Sequence, residues 1–284
     1  MPVKSKPVEP PRDKARFMSP YIELTNLEVC LAAVLIVING VVSIALRLRL
    51  EKTLAIASVR TVVQLSLVGV VLSWVFRVDR WYVVLAIAAV MTLIAGFSAA
   101  DRSKRKFPGI RLIAITSVWS CAWILTGYVL LFVFQDLPKW YEPQYAIPLL
   151  GMVLGNTLNG ISVGLSTLTE TLVRSRGQVE TLIALGATRW EAAGEPIREA
   201  VRTGMIPIVN SMMVVGVVSL PGMMTGQVIS GMDPAQAVRY QIVIMFLIAG
   251  ATALGTVSVV LLSVRRLFDA NHRFKFELIR IAGS

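Results

Sequence analysis

Apolar and polar positions fall along this chain in long blocks, not with the short period of a soluble strand or surface helix. Seven apolar blocks stand out, at about residues 27–46, 54–76, 81–100, 112–134, 145–168, 203–220 and 238–264. A helix rises about 1.5 Å per residue and a hydrocarbon core is about 30 Å thick, so each block reads as a membrane span, allowing for tilt. The sixth is the shortest and is interrupted by Pro207. Between the fifth and sixth blocks lies a polar, helix-forming insert at 169–202, TETLVRSRGQVETLIALGATRWEAAGEPIREAVR.

Gly177, Gly186, Gly194 and Pro196 divide the insert into short helices at 180–185, 188–193 and 197–202. Thr188 is placed as an N-cap, with Glu191 three residues on as its capping-box partner. A short helix after a glycine turn presents a compact knob, of a kind that fits a cleft on a soluble subunit. A solvated amphipathic hairpin accounts for the same residues equally well.

The loops give the direction. The connections after blocks one, three and five and the C-terminal tail carry 18 Lys and Arg, among them Arg47, Arg105, Arg174, Arg189 and Arg265. The opposite connections and the N-terminal tail carry 8: Arg77, Arg80, Lys139 and five in the tail. Basic loops stay on the cytoplasmic side, so the expectation is N-terminus outside, C-terminus inside, and the insert in the cytoplasm. Trp81, Trp140, Tyr141 and Tyr145 then fall at outer ends of spans, where an interfacial aromatic belt explains them.

Composition agrees. Of 284 residues 55% are hydrophobic and 16% charged, against about 25% charged in soluble domains; the mean hydropathy is +0.69. The net charge of +11 fits cytoplasmic loops, and no basic domain or aromatic reader motif points to nucleic acid. Residues 1–23 are Pro-rich with mixed charge and read as a disordered tail, 24–268 as the membrane domain, and 269–284 as a cytoplasmic tail. The first apolar run is long for a signal-peptide core and reads as a retained span. Cys30 and Cys121 lie apart in apolar blocks, and the single histidine, His272, reads as a solvated tail residue. These residues do not suggest a disulfide framework or a Zn or Fe–S site.

Polar groups within the blocks are candidates for a pathway. Arg60 and Gln64 are one turn apart on one face; a membrane-centred Arg costs about 2.5–3.5 kcal/mol unless it has a partner, a wet cavity or a route to the interface. Asn156 and Asn159 lie in GNTLNG, the first read as pathway lining and the second as interhelical glue. Gly151 with Gly155, and Gly160 with Gly164, have the four-residue spacing of close helix packing, within the chain or against a second copy. Pro221-Gly222 and the charge-poor stretch to Gly231 suit an outer gate that re-enters the membrane. Met212, Met213, Met223, Met224 and Met232 read as adaptable core fillers; thioethers suit Cu(I) better than Fe(II).

The run Glu180 to Ala193, ETLIALGATRWEAA, resembles the cytoplasmic coupling loop of ABC-transporter permeases. Glu180 and Gly186 have that motif's six-residue spacing, although Thr181 and Leu182 replace its two alanines and its later Ile-x-Leu-Pro is absent. LPGMMTGQ at 220–227, Asp233-Pro234, Tyr240-Gln241-Ile242-Val243, the run RTVVQL from Arg60 and Gly155-Asn156 resemble the FetB (YbbM) family of bacterial iron-export permeases. The similarity covers roughly residues 27–272. Plant relatives of that family are linked to aluminium tolerance.

The resemblance implies an all-α polytopic permease in a bacterial inner membrane, of about seven spans, paired as a homodimer and exporting iron or another metal, free or chelated. ATP and Mg would be bound by a separate ATPase of the FetA type, with no cofactor on this chain. Glu180, Gly186, Ala187, Arg189 and Trp190 would then couple to the ATPase, and Pro221, Gly222, Met223, Met224 and Gln227 would join Arg60, Gln64 and Asn156 along the pathway or gate. The sequence contains no G-x-x-x-x-G-K-[ST] phosphate loop, H-E-x-x-H, G-x-S-x-G or C-x-x-C. A self-sufficient secondary transporter or channel is the alternative, weakened because no Asp or Glu is central in a span. An interfacial membrane enzyme would need a catalytic constellation that does not appear.

Overall fold

Helices dominate the computed structural model, which describes residues 25–103, 105–135 and 139–281. The segment 1–23 and Lys104 lie outside the described residues. In order the helices are α1 (Asn26–Ala45), α2 (Glu51–Val78), α3 (Trp81–Asp101), α4 (Ile110–Tyr128), α5 (Pro143–Arg174), α6 (Arg176–Ala184), α7 (Arg189–Ala192), α8 (Gly194–Val214), α9 (Gly222–Ile229) and α10 (Pro234–Leu267). Two two-residue strands, β1 (Arg105–Lys106) and β2 (Arg280–Ile281), pair antiparallel. The chain divides into two units, one of residues 1–78 and 222–237, the other of 79–221 and 238–284.

The first unit holds α1 and α2. Thr25 and Glu28 form a capping box at the start of α1, the Thr25 N–H donating to Glu28 Oε2 at 2.6 Å. Arg47 and Arg49 adopt left-handed φ of 52° and 58° in the tight connection to α2. Ser43 closes that turn, accepting the Leu50 N–H at 3.0 Å and donating to Glu51 Oε2 at 3.2 Å. Leu, Val and Ile are exposed all round α1 and along α2, the arrangement of helices solvated by lipid. In this unit α9 is a helix, so the stretch from Gly222 expected as an irregular gate is regular as far as Ile229.

The second unit is packed around α5, a long helix whose small residues let its neighbours approach. A Cβ at Gly160 would lie 2.5 Å from Thr252 Cγ2 of α10 and 3.1 Å from the Gly204 carbonyl oxygen of α8. At Gly204 it would lie 2.8 Å from the Gly160 carbonyl oxygen, and at Gly255 2.7 Å from Thr157 Cγ2. These contacts also fix direction. Gly160 meets Thr252 and Gly164 meets Thr256, so α5 and α10 run parallel, whereas Gly160 meets Gly204 and Gly164 meets Ala200, so α8 runs antiparallel to both. The Phe134 ring touches Tyr145 early in α5 (6.2 Å) and Tyr240 early in α10 (5.3 Å), as parallel helices require.

The α3–α4 hairpin packs on the same helix. Gly96 lies against Ile115, and Trp123 Nε1 donates to Thr92 Oγ1 at 3.1 Å. Thr92 donates in turn to the Ala88 carbonyl at 2.7 Å, so the hydroxyl is satisfied although buried.

Among the described residues six helices are long and apolar enough to cross a membrane: Leu27–Ala45, Glu51–Val78, Trp81–Asp101, Ile110–Val133, Pro143–Arg174 and Pro234–Leu267. They coincide with six of the seven expected blocks. The block 203–220 differs. Its helix, α8, starts at Gly194 inside the insert and stops at Val214, after which Gly216 (φ 83°) turns the chain. The first half of α8 carries Glu195, Arg198, Glu199 and Arg202, which lowers its hydropathy. Even so, parallel α5 and α10 require the chain to cross back between them, and α8 is the element that runs that way.

Candidate functional site

The insert emerges from the end of α5, past Arg174, and its helices are anchored by a few buried groups. Val179 pins α6, and Ala192 and Ala193 pin the segment after it. Thr171 Oγ1 and Arg174 Nη2 donate to the Glu199 carboxylate at 3.1 and 3.2 Å, tying the end of α5 to the start of α8.

Between α6 and α7 the chain makes a Schellman turn. The Gly186 N–H donates to the Ile183 carbonyl at 2.9 Å and the Ala187 N–H to the Leu182 carbonyl at 3.0 Å. Gly186 has φ 93°, the left-handed value this motif needs and glycine supplies. Thr188 then caps α7 as expected: its N–H and hydroxyl both donate to Glu191 Oε2, at 2.7 and 2.8 Å, and the Glu191 N–H returns to Thr188 Oγ1 at 3.4 Å. The Thr188 backbone N–H, helped by its hydroxyl, holds the Glu191 carboxyl below the ordinary glutamate range.

The outer side of this turn is apolar. Leu182, Leu185 and Trp190 are 42%, 79% and 42% exposed, and the Arg189 guanidinium lies 5.9 Å from the Trp190 ring. Glu180 is paired to Arg176 one turn back at 2.7 Å. The five expected coupling residues, Glu180, Gly186, Ala187, Arg189 and Trp190, therefore share one helix–turn–helix knob. Leu182 and Leu185 belong to it too; their exposure, not their type, marks them, and sequence alone does not give it.

The expected pathway residues are not gathered in this way. Arg60 and Gln64 are exposed one turn apart on α2, and Gly222, Met223, Met224 and Gln227 lie on α9, all in the first unit. Asn156 and Pro221 belong to the second. The Asn156 amide donates within its own helix, to the Met152 carbonyl at 2.9 Å. Asn159 is the cross-linked one: its Oδ1 accepts from Arg102 Nη1 of the α3 end at 2.8 Å, which fits interhelical glue. A mostly apolar cavity of about 120 Å³ opens among α3, α4 and α5, walled by Ala88, Trp123, Leu130 and Trp140, and contains none of the expected site residues. Among the described residues no three His, Cys, Asp or Glu come together as a metal site.

His272 departs from the expectation of a solvated tail. It is half-buried, and its Nδ1 accepts the Arg189 N–H at 3.2 Å. No local pattern marks this contact, since Arg189 and His272 lie 83 residues apart in the chain.

Comparison with known proteins places the chain. It is 40% identical over 226 residues to the UPF0014 membrane protein slr1647 of Synechocystis, covering 80% of this chain and 87% of that one. It is 30% identical over 250 residues to the probable iron export permease protein FetB of Escherichia coli, covering 88% and 95% respectively. To the protein ALUMINUM SENSITIVE 3 of Arabidopsis thaliana it is 30% identical over 232 residues, 80% of this chain and 81% of the relative. No solved structure matches. The model of the family described as Uncharacterised protein family (UPF0014) matches residues 26–268. With those spans and that match, the chain is a multi-pass membrane protein that belongs to the UPF0014 family, the family of FetB.

Proposed function

We propose that this chain is the membrane permease subunit of an ABC transporter that exports iron or another metal ion, using ATP hydrolysed by a separate ATPase subunit. The observation that carries the reading is the insert: a capped helix–turn–helix knob with an exposed apolar tip, Leu182, Leu185 and Trp190, beside Arg189. A solvated hairpin gains nothing from such a tip, whereas a soluble partner buries it. The metal comes from the relative named as a probable iron export permease.

In this reading two copies of the chain pair in a bacterial inner membrane, N-terminus outside and C-terminus inside. Each knob docks into one ATPase of the FetA type, which binds ATP and Mg; this chain binds neither. Closure of the ATPase pair displaces the knobs. Because α8 continues from the insert without a break and packs on α5 through Gly160 and Gly204, the displacement passes directly into the spans. Rocking of the spans then alternates access for the cargo, with Arg60, Gln64, Asn156, Pro221, Gly222, Met223, Met224 and Gln227 as the candidates to line its path.

A pull-down from membranes tests the reading. The tagged chain retains an ATPase, and Glu180→Lys combined with Gly186→Pro releases it while the chain is still inserted at parental level. Transport by the purified chain alone, driven by an ion gradient without ATP, would overturn the proposal.

A further inference from the structure

The segment that follows α10 does not trail away. It reverses at Asp269, whose Oδ1 accepts the N–H groups of Asn271 (3.0 Å) and Arg273 (2.8 Å). The returning chain stacks the Phe274 ring on Phe268 with centroids 5.1 Å apart, and the Lys275 N–H donates to the Leu267 carbonyl at 2.8 Å. From this base it touches both helices of the insert. The Arg176 guanidinium of α6 lies 4.2 Å from the Phe276 ring, and His272 presents Nδ1 to the Arg189 N–H of α7. The segment then ends as β2, with Arg280 opposite Lys106 and Ile281 opposite Arg105 of β1, in the α3–α4 connection. Arg266 Nε, donating to the Pro108 carbonyl at 3.3 Å, adds a second tie to that connection.

The His272 contact is the one with a specific role. α7 is a single turn, too short to hold itself. Its first N–H, that of Arg189, has no partner inside the helix, so an acceptor from outside satisfies it. His272 reaches that position with φ 62°, a conformation a non-glycine residue rarely adopts without a compensating contact.

We propose that residues 268–281 form a strap that makes the insert and the α3–α4 connection move as one body, with His272 as the residue that positions the Arg189–Trp190 knob. Its functional consequence rests on the permease reading. A push on the knob reaches α5 and α8 through the chain itself, and reaches α3 and α4 through the strap.

Amide hydrogen exchange on the full chain in lipid nanodiscs tests the strap without any partner. His272→Ala is expected to speed exchange at Arg189 and through α7 by about tenfold, the loss of one hydrogen bond. His272→Asn, which tolerates left-handed φ and offers an acceptor oxygen, is expected to restore protection. Parental exchange in His272→Ala overturns the strap. If α5 loses protection as well, the decision passes to Phe276→Leu, which keeps the apolar volume but removes the ring face: faster exchange confined to α6 supports the strap, and no change overturns it.

A second arm tests coupling. In membranes with the ATPase, His272→Ala is expected to keep capturing that subunit yet lose ATP-dependent transport severalfold, with His272→Asn active. Parental transport from a loosened insert overturns the coupling role. If even the parent captures no ATPase, the permease reading fails and the strap is judged by exchange alone.

Discussion

Gly186 shows what one backbone angle controls. A Cβ there would meet nothing within 4 Å, so space does not demand glycine; φ 93° does. Gly186→Ala is expected to cost about 1–2 kcal/mol locally, and Gly186→Asn less, because asparagine visits the left-handed region. The rate of proteolytic nicking between α6 and α7 should follow that order. Glu191 gives a pH signature to the same turn. Its folded-state carboxyl is held below the ordinary glutamate value of 4.5, so its contribution is complete above that pH and disappears as pH falls through the lowered value. Trp190 emission should report the turn loosening on acidification below 4.5, and Glu191→Gln, which cannot ionise, should remove the transition. Both residues were legible in sequence, since a glycine turn and a Thr-x-x-Glu box are local patterns. The Arg189–His272 bond was not, because it joins residues far apart in the chain.

At the scale of elements, the tightest feature is the seam of α5, α8 and α10. Gly204→Ala would set a methyl 2.8 Å from the Gly160 carbonyl oxygen, a backbone atom that cannot rotate away. The helices must part, at an expected cost of about 1–3 kcal/mol and a lower melting temperature in detergent. Gly69→Ala in α2, where a Cβ meets nothing within 4 Å, is the contrasting case. Higher helix propensity should leave that variant as stable as the parent or up to about 1 kcal/mol more so. Equal melting temperatures for the two variants would show that the seam is not close-packed. The four-residue glycine spacing in block 145–168 announced close packing, which holds at Gly160 and Gly164 but not at Gly155, where a Cβ would meet nothing within 4 Å. It did not say against what, and the partners Thr252, Thr256 and Gly204 come from helices far along the chain. Local hydropathy also misplaced the sixth block, because α8 runs from charged insert to apolar span as one helix.

For the whole molecule, orientation is the testable quantity. With Cys30 replaced by Ser and Cys121 buried, a single exposed cysteine reports its side of the membrane. A membrane-impermeant maleimide is expected to label Gln144→Cys, near the start of α5, in intact cells, and Gln178→Cys, in the insert, only after the membrane is opened. The reverse pattern would invert the topology and remove the insert from the compartment that holds ATP. Direction could be argued from sequence because charge is counted, not placed. The site could be argued only in part. The five residues expected to couple fall between Glu180 and Trp190 and fold into one knob, while those expected along the pathway are scattered over α2, α5, Pro221 and α9, in two units.

The sequence by itself determined that this is a membrane chain, that its polar insert is broken into short helices with a turn at Gly186, and which family it resembles. Each rests on composition, period or local motif, which residues carry with them wherever the chain goes. Tertiary structure decided that α8 returns antiparallel along α5, that Asn159 holds Arg102, and that the C-terminal segment closes over the insert through His272 and Phe276. Those outcomes depend on which backbone surfaces can approach within contact distance. A linear pattern does not state that, because the glycines that permit the approach and the side chains that fill it lie on different helices.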